Sequence, residues 1–236
     1  MSVKKKVLVD ADIIAYRSAF SAKNDSAKKA RDKVDDICSS ITYDCFYPED
    51  YTLNKDAFFY LTGEGNFRHD IATIKPYKGN REEKPEYLST TRDQIVSRWG
   101  AEVVEGQEAD DSIGIKATEL NGDCIIVSID KDLLMIPSTN YNFVTGVWSN
   151  INKEQGDYFF YKQLLTGDRV DNIQGVFGIG PKKAEKAYQE CTTVQEMYQK
   201  ALEMYKGDTE ALLENARLLW LRRYEGEMWE PPIEQT

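Results

Sequence analysis

The stretch DCIIVSIDKD, residues 123–132, carries both signals on which the rest of the chain is read. Asp123 to Ile129 is a nearly unbroken apolar run rich in β-branched side chains, the pattern of a strand buried on both faces of a parallel sheet. Asp130 and Asp132 stand just past its carboxyl end. The same order, strand then acid, occurs twice more. Lys6-Val7-Leu8-Val9 runs into Asp10, with Asp12 two residues on, and Glu102-Val103-Val104 is followed by Glu108, Asp110 and Asp111. Further strands are predicted at Asp56–Leu61 (DAFFYL) and Asn140–Val144, and helices at Ile13–Phe20, 25–45, Glu108–Leu120 and, briefly, Lys131–Met135. Strands alternating with helices predict a mostly parallel α/β sheet with flanking helices over residues 1–152.

After about Asn152 no strand signal remains. Tyr158–Leu165, Pro181–Glu190, Val194–Met204 and Thr209–Tyr224 read as helices, and Thr193-x-x-Glu196 as a capping box, so 153–236 is expected to be a helical region. Residues 63–100 stand apart as polar, with Pro76 and Pro85 and no firm apolar period. From Asn66 to Gly100 seven Lys/Arg outnumber five acids, which predicts a mobile surface element that meets an anion, or simply a solvated loop and surface helix.

The chain of 236 residues is 30% charged and 41% hydrophobic, which excludes collagenous, low-complexity and disordered classes. No apolar run approaches the roughly 20 residues that span a bilayer, and the first residues do not read as a signal peptide, so no membrane association is expected. Four scattered cysteines and a single histidine argue against a disulfide scaffold, a zinc finger or a His-based metal site, and cytoplasmic localisation is the natural expectation. The net charge of −10 opposes nucleic-acid binding at first sight. Setting aside Asp10, Glu108, Asp110, Asp111, Asp130, Asp132, Asp168 and Asp171 leaves only −2, so the acidity is concentrated.

In an open α/β sheet, residues past the carboxyl ends of the strands share one crevice. Carboxylates gathered there repel one another unless a hard divalent cation, Mg²⁺ or Mn²⁺, takes their oxygens. Each group alone has a plainer explanation: Asp10 as a helix N-cap, Glu108–Asp111 as a first-turn cluster favoured by the helix dipole, Asp130 and Asp132 as turn residues. Caps do not readily explain why all three groups follow strands. Gly175-Val-Phe-Gly178-Ile-Gly180-Pro-Lys182-Lys183 reads as a hairpin between helices, either structural or presenting backbone N–H groups and lysines to a phosphate.

Five motifs in order, VDADIIAYR, PYKGNR (76–81), EADD (108–111), SIDKD (128–132) and GDRVDNIQGVFGIGPKKA (167–184), resemble the 5′-nuclease superfamily. The likeness is greatest to bacteriophage 5′–3′ exonucleases and flap endonucleases and to the nuclease domain of bacterial DNA polymerase I. That resemblance implies a PIN-like fold with a helix–three-turn–helix motif at 167–190 in a DNA-binding C-terminal region, and an arch or gateway at 63–100. It implies two or more Mg²⁺ (or Mn²⁺) ions on Asp10, Glu108, Asp110, Asp111, Asp130, Asp132, Asp168 and Asp171. Lys78 and Arg81 match the residues that engage the scissile phosphate, with Tyr77 as their aromatic neighbour. Gly175, Gly178, Gly180, Lys182 and Lys183 match the part that grips duplex DNA, where K⁺ can sit on carbonyls.

The loop 61–65 departs from the pattern by having no Asp, which leaves Glu64 or water to fill a ligand position. The activity implied is hydrolysis of DNA at 5′ ends, flaps or duplex–single-strand junctions, leaving 5′-phosphate and 3′-hydroxyl, by a monomer, in the host cytoplasm if phage-encoded. Cleavage within RNA–DNA hybrids stays open. Two competing readings are a non-catalytic binder of DNA structures and a phosphatase of the haloacid dehalogenase type using Asp10, Asp12 and Thr62.

Overall fold

A computed structural model describes residues 5–80 and 83–232. Its centre is a six-stranded sheet in the order β3-β2-β1-β4-β5-β6, formed by β1 (Lys6–Asp10), β2 (Ala57–Thr62), β3 (Glu102–Val104), β4 (Cys124–Val127), β5 (Ser138–Asn142) and β6 (Val147–Ile151). Neighbouring strands from β3 to β5 are parallel. Only β6 runs antiparallel, to β5. The apolar runs explain the centre: β4 is buried throughout and β1 from Val7 onward, as strands covered on both faces must be.

One face is covered by α1 (Ala11–Ser21), α2 (Ala27–Phe46) and α4 (Leu88–Trp99), which bury Ile14, Val34, Ile41 and Ile95 against Val7, Val9, Phe59 and Leu61. The other carries α5 (Ala109–Glu119) and, beyond it, the C-terminal helices α6 (Lys153–Thr166), α7 (Pro181–Ala187), α8 (Val194–Met204) and α9 (Thr209–Leu219). Leu8 and Ile126 of the sheet lie in one continuous apolar cluster with Phe160, Leu164, Tyr188, Leu212 and Trp229. The helical region therefore shares a core with the sheet. No helix among the described residues is long and apolar enough to cross a membrane.

Three expectations change. The 63–100 stretch is not one surface element: it contains α3 (Arg68–Ile71), and α4 buries Leu88, Thr91, Ile95 and Trp99. Burying Ile95 and Trp99 stabilises the fold by ~1.5–3 kcal/mol each, and Trp99 also donates from Nε1 to Asp35 (2.8 Å). Three buried apolar residues and a threonine spread over 12 mostly polar residues gave too weak a period to mark this helix. Second, β6 is an exposed edge strand whose residues show no alternation of burial. Third, strands do occur after Asn152, since β7 (Gly167–Asp168) pairs antiparallel with β8 (Ile173–Gln174). Two-residue strands are too short to leave a periodic signal. Their glycines do the work: a Cβ on Gly167 would come within 2.3 Å of the Gly175 nitrogen.

Candidate active site

The parallel register sets β1, β2, β3 and β4 with their carboxyl ends at one edge, and every strand there hands on to a functional segment. Asp10 closes β1 and caps α1, accepting from the Ile13 N–H (3.4 Å) and from Ser128 Oγ past β4 (2.7 Å). Glu108 is the N-cap of α5, and Asp110 lies in that helix's first turn. Asp130 caps the 3₁₀ turn 131–135 through the Asp132 N–H (2.9 Å).

The PYKGN segment (76–80) lies on the turn 168–172. The Lys78 N–H donates to the Asp171 carbonyl (3.0 Å), Asn172 Nδ2 to the Pro76 carbonyl (2.9 Å) and Asn80 Nδ2 to the Arg169 carbonyl (2.9 Å). Pro76 to Gly79 forms a tight turn with Lys78 in the left-handed region at φ 53°, a conformation that costs a lysine about 1 kcal/mol or more. That turn aims the Lys78 ammonium into an ion pair with Glu108 and brings it 3.7 Å from Asp171. Tyr77 is buried, with its hydroxyl 3.0 Å from Glu108 Oε2 and 2.9 Å from Asp171 Oδ2. One phenolic proton thus serves two carboxylates. Burial, then the Glu108 charge, push the phenol well above its ordinary value, so it stays a neutral donor. Tyr77, expected as an aromatic neighbour of the phosphate-engaging residues, is buried, with its hydroxyl turned to Glu108 and Asp171.

Two cavities meet here. A small one of about 90 Å³ is walled by Tyr77, Lys131, Asp132, Asp168 and Asp171 among others. A wide cleft of about 990 Å³ opens past Asp10, Asp12, Arg17, Glu64, Lys84 and Arg92. Lys78, Glu108, Asp110 and Asp130 line both.

The electrostatics divide the acids into two kinds. Burial, then Asp12 and Asp130, push Asp10 up to about 7, against the pull of Ser128. Burial with Asp10, Asp130 and Glu108 nearby raises Asp110 well above the carboxylate range. Asp132 is likewise pushed up to about 7 by burial and Asp130, although Gln163 Nε2 donates to it (2.8 Å). Burial also lifts Asp171. In Glu108 burial is outweighed by Lys78 and Arg68, and in Asp168 by Lys131 at 2.6 Å, so both are held below their ordinary range.

Among the described residues no three His, Cys, Asp or Glu side chains form a ready-made ligand constellation. Lys78 and Lys131 are instead the counter-charges of Glu108 and Asp168. The donor chemistry nevertheless fits a hard cation: oxygen ligands only, several buried, three of them raised by burial and by the charge of neighbouring acids.

Asp111 does not belong to this set. Its carboxylate is fully buried on the opposite side of α5, paired with Arg68 at 2.6 and 2.9 Å and accepting from the N–H groups of Glu108 (3.0 Å) and Arg222 (3.1 Å). All its acceptor positions are used, which corrects its assignment as a metal ligand. Glu64 is exposed and lines the wide cleft that Asp10, Glu108, Asp110 and Asp130 also line. The loop it belongs to is tied elsewhere. Thr62 accepts on Oγ1 from the Ala109 N–H (2.9 Å), gives its own N–H to Asp12 (2.9 Å), and Arg92 bridges its carbonyl and Asp12. Thr62 is thereby spent on capping α5, against the role a phosphatase would give it. Arg81 lies outside the described residues.

In the hairpin, Val176 donates to the Leu165 carbonyl and Ile179 to the Val176 carbonyl, leaving Gly178, Gly180, Lys182 and Lys183 exposed, with Gly175 less so. Lys183 Nζ donates to the Gly178 carbonyl (2.8 Å), placing an ammonium on a carbonyl of the motif for which K⁺ was expected. Sequence reasoning missed Arg68, Lys131, Gln163 and Arg92. Nothing in the spacing of Arg68 or Gln163 marks them, whereas Lys131, between Asp130 and Asp132, was visible as an unbalanced cation in an acidic turn.

Comparison with known proteins places this geometry. Residues 5–164 match the family model described as 5′-3′ exonuclease, N-terminal resolvase-like domain. A 5′-3′ exonuclease of Buchnera aphidicola subsp. Schizaphis graminum is 28% identical over 214 residues, 83% of this chain and 74% of that protein. DNA polymerase I of Caldicellulosiruptor bescii is 31% identical over 153 residues, 52% of this chain but only 17% of the polymerase. Among solved structures, a bacteriophage T5 D15 flap endonuclease complex with DNA and metal ions superposes with a TM-score of 0.65 at 18% identity, covering 91% of this chain and 88% of that one.

Proposed function

The chain belongs to the 5′–3′ exonuclease family, and on that premise we propose that it is a divalent-metal-dependent 5′ nuclease that hydrolyses DNA phosphodiester bonds at 5′ ends, flaps or junctions. The observation that carries this reading is the wall shared by both cavities, where Lys78 faces Glu108, Asp110 and Asp130. Mg²⁺ or Mn²⁺ held by Asp10, Glu108, Asp110 and Asp130, with Asp132, Asp168 and Asp171 beside them, would polarise the phosphate and supply a nucleophilic hydroxide at neutral pH.

The rest is the work of the chain. Lys78, fixed by its turn and by Glu108, neutralises charge that grows on the phosphate oxygens. Tyr77 keeps Glu108 and Asp171 in register. The wide cleft admits a strand, and its Arg17, Lys84 and Arg92 set cations against the backbone phosphates. The helical region 153–236 holds the duplex through Gly175–Lys183, so selectivity follows DNA shape and not base sequence. The products are a 5′-phosphate and a 3′-hydroxyl.

The test uses a labelled 5′-flap duplex and a blunt duplex with the purified protein in Mg²⁺ or EDTA, beside Asp130→Asn. Mg²⁺-dependent cutting near the junction or release of short 5′ products, lost in Asp130→Asn, is expected. Binding without cutting in Mg²⁺ and in Mn²⁺ overturns the catalytic reading in favour of a structure-specific binder.

A further inference from the structure

Gln163 joins two acids that reach the small cavity from different parts of the chain. Asp132 lies in the 3₁₀ turn behind β4, and Asp168 in β7, just past the end of α6. Gln163, in the last turn of α6, offers both hydrogens of its amide. Its Nε2 stands 2.8 Å from Asp132 Oδ1 and 3.2 Å from Asp168 Oδ2. The residue is only 4% exposed, in a helix whose Phe160, Leu164 and Leu165 are buried too, so the amide is fixed by packing. Gly156 lets α6 close on the 3₁₀ turn, since a Cβ there would come within 2.5 Å of the Met135 carbonyl oxygen. The amide oxygen of Gln163, by contrast, is buried with no hydrogen-bond partner among the described residues. An orphaned acceptor of this kind costs about 1–3 kcal/mol, and turning the amide over would aim that oxygen at two carboxylates. The other group on the pair is Lys131, with Nζ 2.6 Å from Asp168 and 3.6 Å from Asp132, but its side chain is 57% exposed.

We propose that Gln163 is a positioning residue for Asp132 and Asp168: its buried neutral amide orients both carboxylates without cancelling their charge, and thereby sets how tightly that pair takes a divalent cation. The inference rests on the metal-dependent reading above and adds to it a residue from outside the acids. The choice of side chain follows from the charge balance. An apolar group at 163 would leave the two acids unaligned, a carboxylate would add to their repulsion, and a buried ammonium would neutralise them permanently. Lys131 does not have that last effect, because an exposed, solvated tether gives way to a divalent ion where a packed one does not. The amide thus keeps the pair together while leaving its charge for a cation, and the unpaired Oε1 is the cost of aiming both N–H groups at it. Partners that hydrogen-bond metal-ligating carboxylates are worth about 10- to 100-fold in metal affinity or activity.

The test is a Mn²⁺ binding isotherm on the full chain without DNA, read by electron paramagnetic resonance of the free ion, beside cleavage of the flap duplex as a function of Mg²⁺. The variants are Gln163→Met and Gln163→Lys, with Gln163→Met repeated in an Asp132→Asn background. Methionine matches glutamine in length and removes the orphaned oxygen along with the donors, so Gln163→Met is expected to fold. It should weaken the weaker Mn²⁺ binding event about tenfold and raise the half-saturating Mg²⁺ for cleavage by the same factor. At saturating Mg²⁺, kcat and the KM for DNA should return to wild type. In the Asp132→Asn background Gln163→Met should change the isotherm less than it does in wild type, because the amide acts through that carboxylate. Gln163→Lys should abolish the weaker event, and it decides the matter if Gln163→Met does not fold. An unchanged isotherm in Gln163→Met, or a weaker event retained in Gln163→Lys, overturns the proposal. So does a loss of cleavage that is the same at every Mg²⁺ concentration, which would make Gln163 a structural residue only. A wild type that binds Mn²⁺ but cuts no DNA overturns the nuclease reading instead, and the isotherms still decide the role of Gln163.

Discussion

Asp111→Asn separates structure from catalysis at the two adjacent aspartates of α5. Among the described residues Asp111 is the carboxylate that hydrogen-bonds Arg68, Glu108 standing farther off at 3.9 Å, and both members of the pair are buried, at 0% and 1% exposure. Arg68 also donates to the carbonyls of Leu218 (2.9 Å) and Trp220 (2.8 Å), so the pair fastens the segment after α9 to the start of α5. With Asn at 111 the guanidinium keeps those two carbonyls but faces an amide where it had a carboxylate, and a buried charge loses its hydrogen-bonded partner, Glu108 remaining only at 3.9 Å. Breaking a buried pair in this way costs about 3–5 kcal/mol, which for a chain of this size lowers the thermal midpoint by roughly 10 °C. The loss should be the same in EDTA and in Mg²⁺, and the Mg²⁺ affinity of the folded variant should stay that of wild type. Asp110→Asn, by contrast, removes one member of a group of mutually raised acids, so it should leave the metal-free protein at least as stable as wild type while weakening Mg²⁺ binding. Thermal unfolding by circular dichroism and Mg²⁺ titration calorimetry read both. An Asp111→Asn protein of unchanged stability that no longer binds Mg²⁺ would falsify the assignment and return Asp111 to the metal set.

The metal-free protein should show a stability maximum near pH 4. Asp10 and Asp132, raised from 3.8 to about 7, remain protonated in the fold after they ionise in the unfolded chain, so stability is lost as pH rises from about 4 through 7. Glu108, Asp111 and Asp168 are held low, and their contribution disappears below about pH 4. Midpoints measured from pH 4 to 8 should fall with pH in EDTA and flatten in saturating Mg²⁺; a slope of equal size in both would contradict the shared-charge account. Lys78→Ala should reduce kcat about 100- to 1,000-fold with KM changed only a few-fold, read by single-turnover and steady-state cleavage. Since the Glu64 side chain is exposed, as a buried ligand would not be, Glu64→Ala should cleave within about twofold of wild type; a large loss of Mg²⁺ affinity would place it in the metal set after all.

Much of this protein is written locally. The buried runs of β1 and β4 and the acids directly behind them follow from periodicity and strand ends, because a parallel sheet gathers the carboxyl ends of its strands at one edge whatever the details of packing. Asp10, Glu108, Asp110 and Asp130 were legible for that reason. The two acids of Asp110-Asp111 look equivalent in the sequence, yet on a helix adjacent side chains point about 100° apart, so only one of them can face the cleft. Which one does is decided by how α5 packs, and the answer lies in Arg68, 43 residues away in a stretch without periodic signal. Tyr77 meets Asp171 across 94 residues, and α4 enters the core because Thr91, Ile95 and Trp99 find α1 and α2 there. Local pattern set the strands and placed the acids at their ends. Only the tertiary structure decided which acids carry unrelieved charge, because a carboxylate's partner is chosen by long-range packing that neither spacing nor composition records.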